Sequence, residues 1–159
     1  IYIYLIMEKA LFGAGCFWGV EETFRKIAGV IKTQVGYSGG NTLDPTYESV
    51  CKGDTNHAEV IKIEFDNKKI SFEELLNIFW KCHDPTTLNR QGPDIGTQYR
   101  SVIFYYDSRQ KEIASKSKNE YSKINNLKIV TEIQKANDFF IAEEYHQKYI
   151  QKTGLHCNI

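Results

Sequence analysis

Cys16 is the residue whose neighbours best equip it for nucleophilic chemistry. It follows the turn-forming segment Gly13-Ala14-Gly15, with a short apolar segment at 9–12 before the turn and apolar residues at helical spacing after it. The glycines allow a sharp turn from strand to helix, and the unpaired amides at the start of a helix favour an anion there. For a cysteine that anion is the thiolate, so we expect a lowered pKa and a reactive sulfur.

The alternative for Cys16 is a small buried residue behind a glycine turn, because buried structural cysteines are common. Trp18 argues against this alternative. Its side chain falls outside the apolar stripe of the predicted helix, so the indole would face solvent unless something apolar binds against it. The two residues together predict a reactive sulfur beside an aromatic binding surface.

Glu59 is a second candidate for chemistry. In the predicted strand 57–65 it is in phase with Ile61 and Ile63, which puts it on the apolar side. Burial there would raise the pKa of its carboxyl, so that it could hold or deliver a proton near neutral pH. The pattern is equally compatible with a Glu59 that lies at the frayed start of the strand and reaches solvent.

Alternating strands and helices have to position these side chains. Strands are predicted at 9–12, 30–36, 57–65, 99–106 and 128–133, and helices from Phe17, over 72–82, after Asp107 and from Asp138. This order indicates an α+β (α/β) two-layer sandwich with a mixed β-sheet and a ferredoxin-like core. The loops 37–56 and 83–98 are too long to be simple connections, so we expect them to be ordered and to share one site.

The length fits a single domain over residues 1–159. Lys plus Arg and Asp plus Glu each total 20, so the formal net charge is zero and no basic surface favours a nucleic-acid partner. Residues 1–7 are apolar but too few to span a membrane, and we interpret them as a leading extension.

The cysteines are widely scattered, at Cys16, Cys51, Cys82 and Cys157. Structural zinc sites use close pairs, so no metal is expected, and redox or nucleophilic chemistry in a reducing compartment such as the cytoplasm is favoured. Cys157 belongs to a predicted mobile tail, 152–159, and a cysteine on a flexible arm can reach a second sulfur. The alternative is a terminal thiol without a role.

From about Lys9 to Cys157, the chain resembles the A-type peptide methionine sulfoxide reductases. The resemblance rests on GCFWG at 15–19, GYSGG at 36–40, PTYE at 45–48 with VC at 50–51, HAE at 57–59, HDPT at 83–86, DIGTQYRS at 94–101, and AE at 142–143 with YHQ at 145–147. Each segment alone would be weak evidence, but seven in family order form a specific pattern.

The resemblance implies a role for each candidate residue. Cys16 would attack the sulfur of methionine S-sulfoxide, free or in proteins, while Glu59 would supply the proton that makes the oxygen a leaving group. Tyr47 and Tyr99 would donate hydrogen bonds to that oxygen. The remaining substrate contacts would come from Phe17 and Trp18, which form an apolar wall for the methyl group, and from Asp94 on the polar side.

The resemblance also implies how the enzyme is recycled. Cys157 would condense with the sulfenic acid left on Cys16, and thioredoxin, or dithiothreitol in vitro, would reduce the resulting disulfide. No bound cofactor and no membrane partner are expected, and the protein is expected to be a monomer.

Two other classes of function stay open. A cysteine hydrolase or acyltransferase needs an imidazole within hydrogen-bond reach of Cys16, for which His57 and His146 are the candidates. A thiol- or metal-binding module without catalytic activity is the third reading.

Overall fold

The computed structural model describes residues 7–155. The strands are β1 (Met7–Ala14), β2 (Val30–Ser38), β3 (Ala58–Asp66), β4 (Arg90–Gln91), β5 (Asp94–Ile95), β6 (Ser101–Tyr105), β7 (Glu132–Lys135) and β8 (Phe139–Ile141). The helices are α1 (Phe17–Arg25), α2 (Tyr47–Cys51), α3 (Phe72–Cys82), α4 (Ser108–Asn125) and α5 (Tyr149–Thr153). Short 3-10 helices cover Thr97–Tyr99 and Glu144–His146.

Most of the strands form one mixed sheet in the order β7-β6-β1-β3-β2-β8. Strands β6 and β7 are parallel, and the other neighbouring pairs in this part of the chain are antiparallel. Strands β4 and β5 pair with each other outside this sheet. The predicted α+β sandwich with a mixed sheet is confirmed.

The main core lies between the sheet and the helices α1 and α3. Its fully buried members include Phe12 of β1, Ile61 and Ile63 of β3, Phe24 of α1 and Phe79 of α3. Helix α3 begins with a capping box, in which Ser71 and Glu74 each accept a hydrogen bond from the backbone amide of the other. Its bounds agree with the predicted 72–82.

The C-terminal third differs from the sequence interpretation. The strand expected at 128–133 lies at Glu132–Lys135, and the helix expected from Asp138 is wrong. That segment instead forms β8, a 3-10 helix and α5. Strand β8 pairs with β2 through Tyr37 and Phe140, and this tertiary pairing outweighs the local helical spacing of the apolar residues.

The structure also changes the bounds of the predicted leading extension and of the predicted tail. Met7, grouped with the leading extension, is the first residue of β1, while Lys152 and Thr153, grouped with the tail, belong to α5. The predicted recycling residue Cys157 lies outside the described residues. None of the helices in residues 7–155 has the length and apolar composition that crossing a bilayer requires.

Candidate active site

Cys16 occupies the N-cap position of α1, two residues after the end of β1. Gly15 makes the turn with φ of +90°, a conformation that L side chains rarely adopt. A Cβ at Gly15 would also lie 2.7 Å from Cγ of Gln91, so the close approach of the second long loop requires glycine here. The predicted turn from strand to helix is confirmed, and Cys16 is half-buried within it.

Glu59 lies at the same end of α1 as Cys16. Its side chain is 1% exposed, which settles its position on the buried side of β3. Oε1 accepts a hydrogen bond from the Phe17 amide at 3.1 Å, and Oε2 has no hydrogen-bond partner within residues 7–155. Burial raises the pKa of Glu59 to about 8 against the lowering effect of the Phe17 amide, and the charge of Asp94 adds to the rise. The carboxyl therefore carries a proton at neutral pH, and Oε2 is the oxygen left to hold it.

The first long loop brings Tyr47 to Glu59. The loop is ordered around α2, which begins at Tyr47 and is capped by the Thr46 hydroxyl, the acceptor for the Ser49 amide. Burial raises the pKa of the Tyr47 phenol, and the charges of Cys51 and Glu59 raise it further. The phenol therefore stays protonated and can act as a hydrogen-bond donor.

The second long loop brings Asp94 and Tyr99 to the same place. Asp94 lies in β5 and Tyr99 ends the first 3-10 helix, and both are half-buried. Burial is the largest cause that raises the pKa of Tyr99, and the charges of Glu59, Cys51 and Asp94 raise it further. The charge on a Cys16 thiolate acts in the same direction. Side chains from both long loops thus lie close enough to Glu59 to interact with it electrostatically.

Aromatic side chains line the site on the α1 side. The Trp18 indole donates from Nε1 to Nδ1 of His146 at 2.8 Å, and its ring stacks on Tyr149 with 4.0 Å between centroids. Phe17 is fully buried, with its ring centroid 5.7 Å from that of Tyr37. Trp18 is therefore held off the main core in a separate aromatic cluster, as its place outside the apolar stripe indicated.

The sequence pattern did not indicate a role for Glu143 or Tyr149, which are neighbours of this cluster. It indicated His146 only as a possible base for a hydrolase. The motif at 142–147 marked Glu143 and His146 as part of the family resemblance, but it did not say what they contact. Their contacts depend on β8, which brings the C-terminal segment onto β2. Local periodicity contained no sign of this strand.

Neither histidine is placed as a general base for Cys16. Nδ1 of His57 accepts from the Gly40 amide at 3.0 Å and its Nε2 donates to the Thr42 carbonyl at 2.8 Å, so both nitrogens hold the first loop. Nδ1 of His146 accepts from Trp18, and its Nε2 has no partner among the described residues. Burial lowers the pKa of His146, which keeps the ring neutral. Within residues 7–155, the hydrolase alternative therefore lacks the base that either of these histidines was expected to provide.

The other described cysteines are poor nucleophiles. Burial raises the pKa of Cys82 to about 12, and partial desolvation raises that of Cys51, which is an exposed residue. Both thiols therefore stay protonated at neutral pH, which leaves Cys16 as the described cysteine with a helix N-terminus to favour its anion.

The arrangement defines an α+β protein in which a cysteine begins a helix beside a protonated carboxyl and two phenols. A family model described as peptide methionine sulfoxide reductase matches residues 8–158. The relative named peptide methionine sulfoxide reductase MsrA from Methanosarcina acetivorans is 56% identical, over 96% of this chain and 82% of that protein. The relative of the same name from Methanothermobacter thermautotrophicus is 54% identical, over 92% of this chain and 88% of that protein. The chain belongs to the peptide methionine sulfoxide reductase family.

Solved structures agree in fold. Reduced Mxr1 from Saccharomyces cerevisiae superposes with a TM-score of 0.92 at 36% identity, covering 97% of this chain and 90% of that chain. Methionine sulfoxide reductase A of Corynebacterium diphtheriae gives 0.84 at 35% identity, covering 96% and 78%. Mxr1 in complex with Trx2 gives 0.66 at 25% identity, covering 91% and 86%.

Proposed function

We propose that this protein reduces methionine S-sulfoxide, free or in proteins, to methionine, with Cys16 as the nucleophile. The observation that carries the proposal is the buried Glu59 carboxyl, which accepts a hydrogen bond from the amide of Phe17, the residue that follows Cys16. A sulfoxide needs a nucleophile at sulfur and a proton at oxygen, and these two groups supply both.

The reaction starts when the Cys16 thiolate forms an S–S bond to the sulfoxide sulfur. Glu59 protonates the oxygen from Oε2, and the phenols of Tyr47 and Tyr99 donate hydrogen bonds to that oxygen as negative charge develops on it. The S–O bond breaks and the protonated oxygen leaves as hydroxide. A water molecule adds at the Cys16 sulfur and gives up a proton, which converts the hydroxide to water, and the S–S bond breaks to release methionine. Overall one proton is consumed, the substrate sulfur gains two electrons, and Cys16 becomes a sulfenic acid.

The substrate's apolar part contacts the aromatic side of the site. Trp18 presents a half-exposed ring that is fixed by its bond to His146, and the fully buried Phe17 packs in the same cluster. The methyl group bonded to the sulfoxide sulfur fits such a surface because its transfer from water is favourable. Asp94, on the second long loop, binds the polar side of the substrate.

Cys157 then resolves the sulfenic acid by condensing with it, which forms a disulfide and releases water. Thioredoxin reduces this disulfide, and the yeast relative solved with Trx2 supports that choice of reductant. The electrons come from cysteines throughout, so no bound cofactor is needed. A monomer in the reducing cytoplasm suits this cycle.

The test compares Cys16→Ser, Cys157→Ser and the control Cys82→Ser in methionine formation from methionine S-sulfoxide. With thioredoxin as reductant, we expect turnover from the wild type and from Cys82→Ser, a single stoichiometric reduction from Cys157→Ser, and no reduction from Cys16→Ser. Full cycling by Cys157→Ser would overturn the recycling role, and reduction by Cys16→Ser would overturn the nucleophile.

A further inference from the structure

The carboxylate of Glu143 joins two aromatic residues of the site that come from different elements. Oε1 accepts from the Tyr37 hydroxyl and Oε2 accepts from the Tyr47 backbone amide, each at 3.0 Å. Tyr37 lies on β2 and is fully buried, and its ring packs against Phe17. Glu143 itself follows β8, so one side chain ties the C-terminal segment to both β2 and α2.

Glu143 is ionised in this position. Burial alone would raise its pKa, but the Tyr47 amide, its own backbone amide and the Tyr37 hydroxyl together lower it below the ordinary value. Hydrogen bonds to an ionised acceptor are stronger than those between neutral groups. The start of α2 is therefore held by a charge-assisted bond from outside the helix.

The position of the Tyr47 backbone decides where the phenol lies. Helix α2 has five residues, and its capping contacts between Thr46 and Ser49 are within the loop and exposed. On its inner side Val50 packs with Tyr37 and Ala142, which fixes the end of the helix. The Glu143 contact fixes the other end, at the residue that carries the phenol.

We propose that Glu143 is a positioning residue for the reaction, which acts by holding Tyr47 so that its phenol meets the developing charge on the sulfoxide oxygen. The proposal rests on the proposed function, since that function assigns the Tyr47 hydroxyl to the sulfoxide. A preorganised donor is effective only when its direction is fixed before the charge develops.

A positioning role differs from a structural role in a measurable way. A structural hydrogen bond stabilises the fold whatever the neighbouring side chain is. A positioning bond acts through the Tyr47 hydroxyl, so its loss slows the chemical step only while that hydroxyl is present.

The experiment is a double-mutant cycle with Glu143→Gln and Tyr47→Phe, read out as the single-turnover rate constant, the KM and the free energy of unfolding. Glutamine keeps the size of the side chain but offers one acceptor oxygen to two donors. We expect Glu143→Gln to lower the rate constant about tenfold in the wild type, and less than about twofold in the Tyr47→Phe background. Its effect on the free energy of unfolding should be the same in both backgrounds.

Glu144→Gln is the matched control, because it makes the same chemical change at the adjacent, exposed carboxylate. Its rate constant should equal that of the wild type. Glu143→Asp, run through the same cycle, keeps the charge but shortens the side chain, so it gives the same comparison if the amide variant does not fold.

The outcomes separate this proposal from the proposed function. If the wild type reduces the sulfoxide and Tyr47→Phe is slow, but Glu143→Gln slows both backgrounds equally or slows neither, the positioning role is overturned and the proposed function stands. If the wild type does not reduce methionine S-sulfoxide, both are overturned. If Glu143→Gln lowers the rate constant in the wild-type background but not in the Tyr47→Phe background, the proposal is supported.

Discussion

The Phe17 amide donates to Oε1 of Glu59 across 3.1 Å, a hydrogen bond between the first residue of α1 and a buried strand carboxyl. This bond fixes Oε1, so the proton that Glu59 holds at neutral pH lies on Oε2. Because Phe17 follows Cys16 in the chain, the same bond sets the carboxyl beside the cysteine. The proposed nucleophile and the proposed proton donor are thus positioned by one turn of backbone.

Glu59→Gln should slow the single-turnover reduction of methionine S-sulfoxide by about 100-fold near neutral pH, because the amide N–H is not acidic enough to transfer a proton. The wild-type rate should fall as the pH rises through about 8, where the carboxyl loses its proton. The variant should show no such fall in that range. Rapid-quench rates across this pH range test the prediction, and a variant as fast as the wild type would remove Glu59 from the proton role.

The same substitution should make the protein more stable. The native Glu59 carboxyl keeps its proton up to about pH 8, whereas the unfolded chain loses it near 4.5. Between these values the native state binds more protons, so the free energy of unfolding of the wild type falls as the pH rises. Glutamine does not titrate and can still accept from Phe17, so the variant should gain on the order of a few kcal/mol by pH 8.

Urea denaturation of both proteins at pH 5 and pH 8 measures this difference. The stability gap between variant and wild type should be small at the lower pH and large at the higher one. A difference in the free energy of unfolding that is the same at both pH values would show that Glu59 is not buried as a protonated carboxyl.

Gly15→Ala should lower activity about 100-fold, because the added Cβ meets both a strained φ and the Gln91 side chain and so displaces the adjacent Cys16. Gly53→Ala is the matched control. Gly53 has a similar φ of +82°, but a Cβ there would meet nothing within 4 Å. The control should lose about 1 to 3 kcal/mol of stability and keep its activity, as measured by thermal unfolding and turnover. Equal activity of the two variants would contradict the steric argument.

Trp18→Phe should raise the KM for methionine S-sulfoxide about tenfold, because it removes the indole donor to His146 and leaves Nδ1 of that buried ring unsatisfied. Trp80→Phe is the control, since Trp80 makes an indole hydrogen bond of the same 2.8 Å length to Ser117 in the main core. The control should unfold at a lower temperature with an unchanged KM. A rise in KM for both variants would point to general loosening of the fold.

The parts of the structure that could be predicted are those specified within a few residues. Glycines and helical spacing predicted the turn at Cys16, and the Ser71 and Glu74 capping box predicted the start of α3. Period-two alternation put Glu59 on the apolar side, and its burial confirms this. The pattern could not name its hydrogen-bond partner, because Phe17 is 42 residues earlier.

The C-terminal third could not be predicted for the same reason. Strand β8 exists through its pairing with β2, in which Phe140 lies opposite Tyr37. The His146 ring reaches Trp18 across 128 residues of sequence. Apolar residues three and four apart suggested a helix, but the energy gained by completing the edge of the sheet decided the structure.

The central claim is that Cys16 is the sulfur that attacks the sulfoxide. Its most direct test is to mix Cys157→Ser with methionine S-sulfoxide and dimedone, without a reductant, and to quantify methionine and locate the sulfenic-acid adduct by mass spectrometry. We predict one methionine per protein chain and a single adduct on Cys16. An adduct on Cys51 or Cys82 with none on Cys16, or methionine formed without any adduct, would contradict it.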